Sequence, residues 1–131
     1  MIENSTKQPL PHPMSEFHLA DEFVKRHCGT WRYCHTLKRW FEWDGKEWQE
    51  DALRKIDRMA VALTRAALYW PEAAQLSEGM KRQICSKYTA GAVRDLAKYD
   101  PRIIATPEQL GYVTPKPGMC GVKWNRARLN P

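Results

Sequence analysis

The fold is decided by residues 39–50, RWFEWDGKEWQE, in which two aromatic, β-prone segments flank Asp44 and Gly45. An Asp-Gly pair between two strands is the strongest short signal for a hairpin, because a type I′ turn needs positive φ at both central positions. The preceding residues 31–35, WRYCH, have the same character. The sequence therefore predicts a small antiparallel meander with strands at 31–35, 39–43 and 46–50, joined by aromatic cross-strand pairs.

A helix is predicted before the meander, from Ser15 as its N-cap to about His27. Its inward side is defined by apolar residues at steps of three and four. These are Phe17, Ala20, Phe23, Val24 and His27. Gly29 is expected to stop this helix in the left-handed conformation that helix ends often need.

A second helix is predicted over residues 52–70, with Asp51 as its N-cap. One continuous apolar stripe runs along it, formed by Leu53, Ile56, Ala60, Leu63, Ala67 and Trp70. A third helix is expected at about 72–88 with Ala73, Leu76, Met80 and Ile84 inward, and a fourth from Thr89 to about Tyr99 that packs Val93 and Leu96. Asp100-Pro101 ends the fourth helix, and Thr106-Pro107-Glu108 starts a last short turn.

The two ends of the chain differ from the middle. Residues 1–14 hold three prolines among polar residues and are predicted to be a flexible leader. Residues 111–131 carry four basic residues, no acidic ones and many Pro and Gly, and are predicted to form an irregular basic tail. The formal net charge of the 131-residue chain is +6. Because the tail supplies most of this excess, the basic pI says little about the middle of the chain, residues 15–110.

Several functional classes lack their sequence signatures. No phosphate-binding loop, dinucleotide fingerprint, nucleophile elbow or HExxH zinc helix occurs, so neither an enzyme nor a bound cofactor or small-molecule substrate is expected. No apolar run is long enough to span a membrane, and the N-terminus has no secretory signal. A cytoplasmic protein with reduced cysteines is the expectation.

The pairs His27-Cys28 and Cys34-His35 are the one candidate metal site in the sequence. Two thiolates and two imidazoles could hold zinc in a tetrahedron. However, zinc knuckles use other spacings, and adjacent residues on a strand point to opposite faces. Ordinary packing of these four residues is therefore favoured, and no metal is predicted.

Nucleic-acid contact has two candidate surfaces. Arg54, Arg58 and Arg65 fall within about 40° of one another on the polar side of the second helix, where they could follow a phosphate backbone or simply face solvent. The tail adds Lys123, Arg126 and Arg128. The six tryptophans could stack on bases, but their positions favour packing in the core.

Residues 15–51 resemble the start of the accessory domain that precedes the helicase in phage- and plasmid-type DNA primase–helicases, which carry a poxvirus-like superfamily 3 motor. The shared pattern runs through Leu19-Ala20-Asp21, Phe23 and Trp31-Arg32-Tyr33 to a hairpin element formed by Trp40, Trp43, Asp44, Gly45 and Trp48. Residues 92–109, AVRDLAKYDPRIIATPEQ, resemble the end of the same domain. The resemblance covers about 15–110 and includes no catalytic motif.

The resemblance implies a mainly helical α+β fold and a non-catalytic part in DNA replication of a mobile element. In whole members this domain would connect primase and helicase modules and could contact DNA. After residue 109 the sequence departs from the family pattern, so a truncated relic of an integrated phage or plasmid gene is expected. The alternative is an interaction module that binds a replicative helicase through the apolar face of the meander without touching nucleic acid.

Overall fold

The computed structural model describes residues 12–113 and the backbone of residues 125–126. Helix α1 (Glu16–His27) precedes strands β1 (Trp31–Cys34), β2 (Arg39–Trp43) and β3 (Trp48–Glu50). Helices α2 (Lys55–Ala67), α3 (Glu78–Ile84) and α4 (Lys87–Ala97) follow, with 3-10 turns at Pro71–Ala73 and Glu108–Leu110. Strands β4 (Tyr112–Val113) and β5 (Asn125–Arg126) complete the order. The predicted α+β, mainly helical fold is confirmed.

The meander has strand order β1-β2-β3 with antiparallel pairing throughout, as predicted. Trp43 is paired with Trp48, and their rings lie 5.3 Å apart. The turn differs from the predicted two-residue type I′ turn, because only Gly45 has positive φ there, at 100°. Four residues, 44–47, connect the strands. The Asp44 carboxylate accepts the N–H groups of Lys46 and Glu47, both at 2.8 Å, and so holds the loop closed.

Helix α1 begins as predicted, with the Ser15 hydroxyl accepting the His18 N–H at 3.1 Å. Its buried side consists of Leu19, Ala20, Phe23 and Val24. The prediction for Phe17 was wrong, since this ring is 66% exposed. The predicted left-handed stop at Gly29 was also wrong, because Gly29 has no positive φ and the helix ends through Cys28 in right-handed conformation.

Helix α2 begins at Lys55, three residues later than predicted. Asp51 still caps it, because its carboxylate accepts the N–H groups of Lys55 and Ile56, both at 2.9 Å. The intervening residues form a turn that ends with Arg54 at φ 56°. Leu53 therefore lies outside the helix and is 76% exposed, contrary to the predicted stripe.

The predicted helix over 72–88 is interrupted. A 3-10 turn at Pro71–Ala73 comes first, and Ser77 then caps α3 by accepting the Met80 N–H at 3.2 Å. Ser86, not Thr89, caps α4 by accepting the Thr89 N–H at 3.2 Å. Met80 is 52% exposed, so its predicted inward position was wrong.

The predicted turn after Pro107 forms. Thr106 and Gln109 hold it through reciprocal hydrogen bonds, from the Thr106 N–H to the Gln109 side chain at 2.8 Å and from the Gln109 N–H to the Thr106 hydroxyl at 3.2 Å.

Each face of the meander contributes side chains to a buried cluster. One face, with Trp31, Tyr33 and Trp40, packs into the main core against the helices. Phe41 and Cys34 on the other face pack against residues from the segment 105–110. This segment follows residues that pair with β1, since the Tyr33 N–H donates to the Ile103 carbonyl at 2.9 Å and the Ala105 N–H donates to the Tyr33 carbonyl at 3.0 Å. The meander therefore contributes side chains to both core clusters of the domain.

The ends of the chain contain two further differences. Met14, in the predicted leader, is 7% exposed and belongs to the main core. In the predicted irregular tail, β4 pairs antiparallel with β5, with Tyr112 opposite Arg126. The remaining parts of those predictions, residues 1–11, 114–124 and 127–131, lie outside the described residues.

Candidate nucleic-acid interface

The predicted arginine stripe is reduced to two residues. Arg58 and Arg65 lie on α2 and are exposed. They are two helical turns apart, about 10 Å along the axis. Within residues 12–113, neither has an ion-pair partner. Arg54 lies before the helix, so the structure does not place it in the same stripe.

Arg54 belongs instead to a charged cluster between α2 and α4. Its guanidinium lies 2.7 Å from one oxygen of Asp57, and Arg94 lies 2.8 Å from the other. Burial alone would raise the pKa of Asp57, but the hydrogen bonds from Arg94 and Arg54 outweigh it and hold the pKa below its ordinary value. The Asp57 side chain is 28% exposed, so this cluster ties the two helices together in a partly dry site.

A pocket of about 270 Å³ opens beside this cluster, and we call it the basic pocket. Tyr33 and Trp40 form part of its wall. Its cationic side chains are Lys38, Arg39, Arg54, Arg94 and Lys98. Of these, only Arg54 was singled out from the sequence. The others come from the β1–β2 turn, from β2 and from the end of α4, so no period in the sequence groups them.

The tail residues predicted to contact DNA lie mostly outside the described residues. Lys123 and Arg128 are not described, and Arg126 is described only as a backbone position in β5.

The hairpin residues that carry the family resemblance have structural roles. Trp40 is buried, whereas Trp43 is 38% exposed beside Trp48. Asp44 and Gly45 shape the loop described above. Hydrogen bonds from the Lys46 and Glu47 backbone keep the pKa of Asp44 below its usual range. These residues build the hairpin.

The four candidate zinc ligands, His27, Cys28, Cys34 and His35, each have other surroundings and do not form a metal site in the described residues. The His27 ring contacts Phe23 at 4.6 Å, and burial, followed by the nearby Arg26 charge, lowers the His27 pKa. Cys34 is fully buried, while His35 Nε2 lies 2.7 Å from the Lys98 carbonyl. Over the part of the chain that the structure describes, no three potential ligands are grouped around a metal-sized space.

Comparisons with known proteins identify the family. Residues 19–110 match the family described as "D5 N terminal like". A segment of 61 residues is 33% identical to the "E3 protein" of Bacillus phage SP01, covering 47% of this chain and 26% of that protein. The chain thus spans about a quarter of that relative's length. No solved structure matches this chain.

The matched residues begin inside α1 and end at Leu110, so they include the whole meander and all four helices except the first turn of α1. Among the described residues, every helix is too short or too polar to cross a bilayer. Domains of this family lie in the N-terminal part of phage and viral primase–helicase replication proteins and are distinct from the catalytic helicase module. Because the match covers well over half of the sequence, this chain belongs to the D5 N-terminal-like family.

Proposed function

We propose that this chain is the non-catalytic accessory domain of a phage- or plasmid-type primase–helicase with a superfamily 3 motor. It links the primase and helicase modules during replication of a mobile element and contacts DNA through backbone phosphates. The observation that carries the proposal is the family match over residues 19–110, which coincides with the folded unit from α1 to Leu110.

The charge distribution supports the DNA contact. Arg58 and Arg65 are exposed on one side of α2, and no carboxylate in the described residues pairs with them. A guanidinium group that keeps its donors free is well suited to phosphate oxygens. The predicted tail cations Lys123, Arg126 and Arg128 would extend this contact.

Salt-dependent DNA binding tests this part of the proposal. Anisotropy of fluorescent single- and double-stranded oligonucleotides is measured against the chain at several salt concentrations. Each phosphate contact contributes a slope of about −0.9 for duplex or −0.7 for single strands in log K against log salt. The variant R58E/R65E is expected to lose about two such contacts.

A matched variant controls for the change in total charge. R82E/K87E changes two exposed cations on α3 and α4 by the same amount and is expected to retain the wild-type slope. No binding at low salt, a flat salt dependence, or equal loss in both variants contradicts the phosphate contact.

The linking role is tested separately. The immobilised chain is incubated with the isolated primase and helicase modules of a related phage protein, after nuclease treatment. Capture of both modules is expected, and capture of neither contradicts the role.

The alternative role, helicase binding through the apolar meander face, is poorly supported. The large apolar side chains of β1 and the middle of β2 are buried in the two core clusters, and Trp43, at 38% exposure, is the meander's one large apolar side chain in the exposed class among the described residues. Nuclease-resistant helicase capture that disappears in W43S would favour it.

A further inference from the structure

We propose that the basic pocket and the neighbouring Tyr99 form a binding site for single-stranded DNA, with a backbone phosphate in the pocket and a base stacked on Tyr99. This inference rests on the DNA contact proposed above and adds a second set of residues to it. Three independent features support this site: the charge of the pocket, its backbone strain and the exposed aromatic ring beside it.

The pocket has more cations than available carboxylates. Five cationic side chains line it, together with Glu50, Asp51 and Asp57. Glu50 pairs with Arg39 at 2.8 Å, and Asp57 is shared between two arginines. The Asp51 carboxylate is directed to the backbone N–H groups of α2 and pairs with no lysine or arginine among the described residues.

Lys38 is the cation with the least compensation. Its side chain is exposed at the pocket, and no carboxylate in residues 12–113 lies within ion-pair distance. Asp95, outside the pocket lining, partners Arg94 and Lys98 at 3.1 and 3.2 Å. Arginines that already hold a carboxylate keep further N–H donors, because a guanidinium has five. A phosphate would thus receive both a free ammonium group and oriented guanidinium donors.

Backbone strain is concentrated at the same pocket. Three non-glycine residues in the described chain have positive φ, and two of them, Lys38 at 57° and Arg54 at 56°, line the pocket. The left-handed region is strained for such residues because of their Cβ atom, whereas glycine adopts it without that strain. Lys38 and Arg54 thus stand at strained backbone positions where glycine would fit, and such strain is often found at functional sites.

An exposed aromatic ring lies next to the pocket. Tyr99 is 70% exposed, and its ring centroid lies 5.3 Å from that of His35. His35 packs in turn on the pocket residue Tyr33 at 4.8 Å. Lys98, also in the pocket, accepts a hydrogen bond from His35 through its carbonyl and places its ammonium 5.0 Å from the Tyr33 ring centroid.

This arrangement joins an open basic pocket to a stacking surface, the combination that single-strand binders use. Base stacking tolerates any sequence because every base has a π-face, while a regular duplex hides those faces between base pairs. The site is therefore expected to prefer single strands to duplex of equal length.

The test uses anisotropy with a fluorescent oligothymidylate, an abasic oligonucleotide of the same length and the matching duplex. K38G removes the free cation and also relieves the backbone strain, so it is expected to raise the melting temperature yet weaken binding to both single strands by about tenfold. Y99A is expected to weaken oligothymidylate binding by about tenfold and to leave abasic binding unchanged. Y99F, which keeps the ring, retains wild-type binding.

The outcomes distinguish this site from the contact proposed for Arg58 and Arg65 on α2. Loss of binding in R58E/R65E with full binding in K38G and Y99A would overturn the inference and leave the proposed function intact. Absence of single-strand binding by the unmodified chain would overturn both DNA contacts, while the linking role is judged by module capture alone. Equal loss of abasic and oligothymidylate binding in Y99A would overturn the stacking part.

Discussion

Replacing Asp51 by alanine tests how the meander is coupled to the helices. The carboxylate accepts two backbone N–H groups at the start of α2, from Lys55 and Ile56, each at 2.9 Å. Loss of a capping side chain costs about 1 kcal/mol, and loss of a negative charge beside a helix N-terminus costs about 0.3–1 kcal/mol more. One of the two freed N–H groups is partly buried. We expect D51A to lower the free energy of unfolding by about 1.5 kcal/mol.

Thermal and urea denaturation followed by circular dichroism measure this effect. For a domain of about 100 residues, a loss of about 1.5 kcal/mol corresponds to a fall in melting temperature of roughly 6–12 °C. D51N keeps one acceptor oxygen and should lose about half as much. E50A is the matched control, because its ion pair with Arg39 joins side chains that are 55% and 41% exposed and contributes little. Equal stability of D51A and E50A would refute the capping role.

Five further substitutions, at the core, at an ion-pair cluster and at two glycines, have defined expectations. F41A empties a fully buried position and should cost about 3–4 kcal/mol in urea denaturation, whereas W43A, at a 38% exposed ring, should cost less than half of that. Hydrogen bonds from Arg102 lower the pKa of the Asp21 and Asp100 carboxyl groups. The ionised carboxylates therefore stabilise the folded state above about pH 4, and this stabilisation is lost as the pH falls through the lowered pKa values. R102Q should therefore flatten the fall of melting temperature with acid, and an unchanged pH profile would contradict this. G45A should destabilise by about 1 kcal/mol because φ is 100°, while G91A, inside α4 with its nearest new contact at 3.7 Å, should stabilise by about 0.5–1 kcal/mol.

The meander could be predicted because its signals are local. Alternation of aromatic and polar residues sets which side of each strand is buried, and Asp44-Gly45 marks the reversal. The turn type could not be predicted, since the Asp44 carboxylate stabilises a four-residue loop through its own hydrogen bonds. Asp44-Gly45 thus marks the chain reversal correctly, but the loop is held by the Asp44 side chain and not by a type I′ turn.

Helix boundaries were predicted less well, for a physical reason. Periodicity identifies an apolar stripe but does not locate the first hydrogen-bonded turn, so Leu53 fits the stripe of α2 without belonging to it. The start of α4 was predicted at Thr89, three residues after its observed cap, because Ser86 is tolerated inside a helix pattern as well as at a cap. The candidate site was predicted only in part, because the basic pocket collects Lys38, Arg94 and Lys98 from elements far apart in the chain.

The pairing of β1 with residues 103–105 has a consequence for folding during synthesis. The outer edge of β1, opposite β2, receives its partner only when nearly the last matched residues are available. The ion pair of Asp21 with Arg102 likewise joins groups 81 positions apart. Contacts of such separation slow folding, because a long loop must close before they form. While the chain is still being translated, the edge of β1 is left open to other strands. The last turn of the domain thus acts as a closing step, and a nascent chain that stops before residue 103 would expose an aggregation-prone edge.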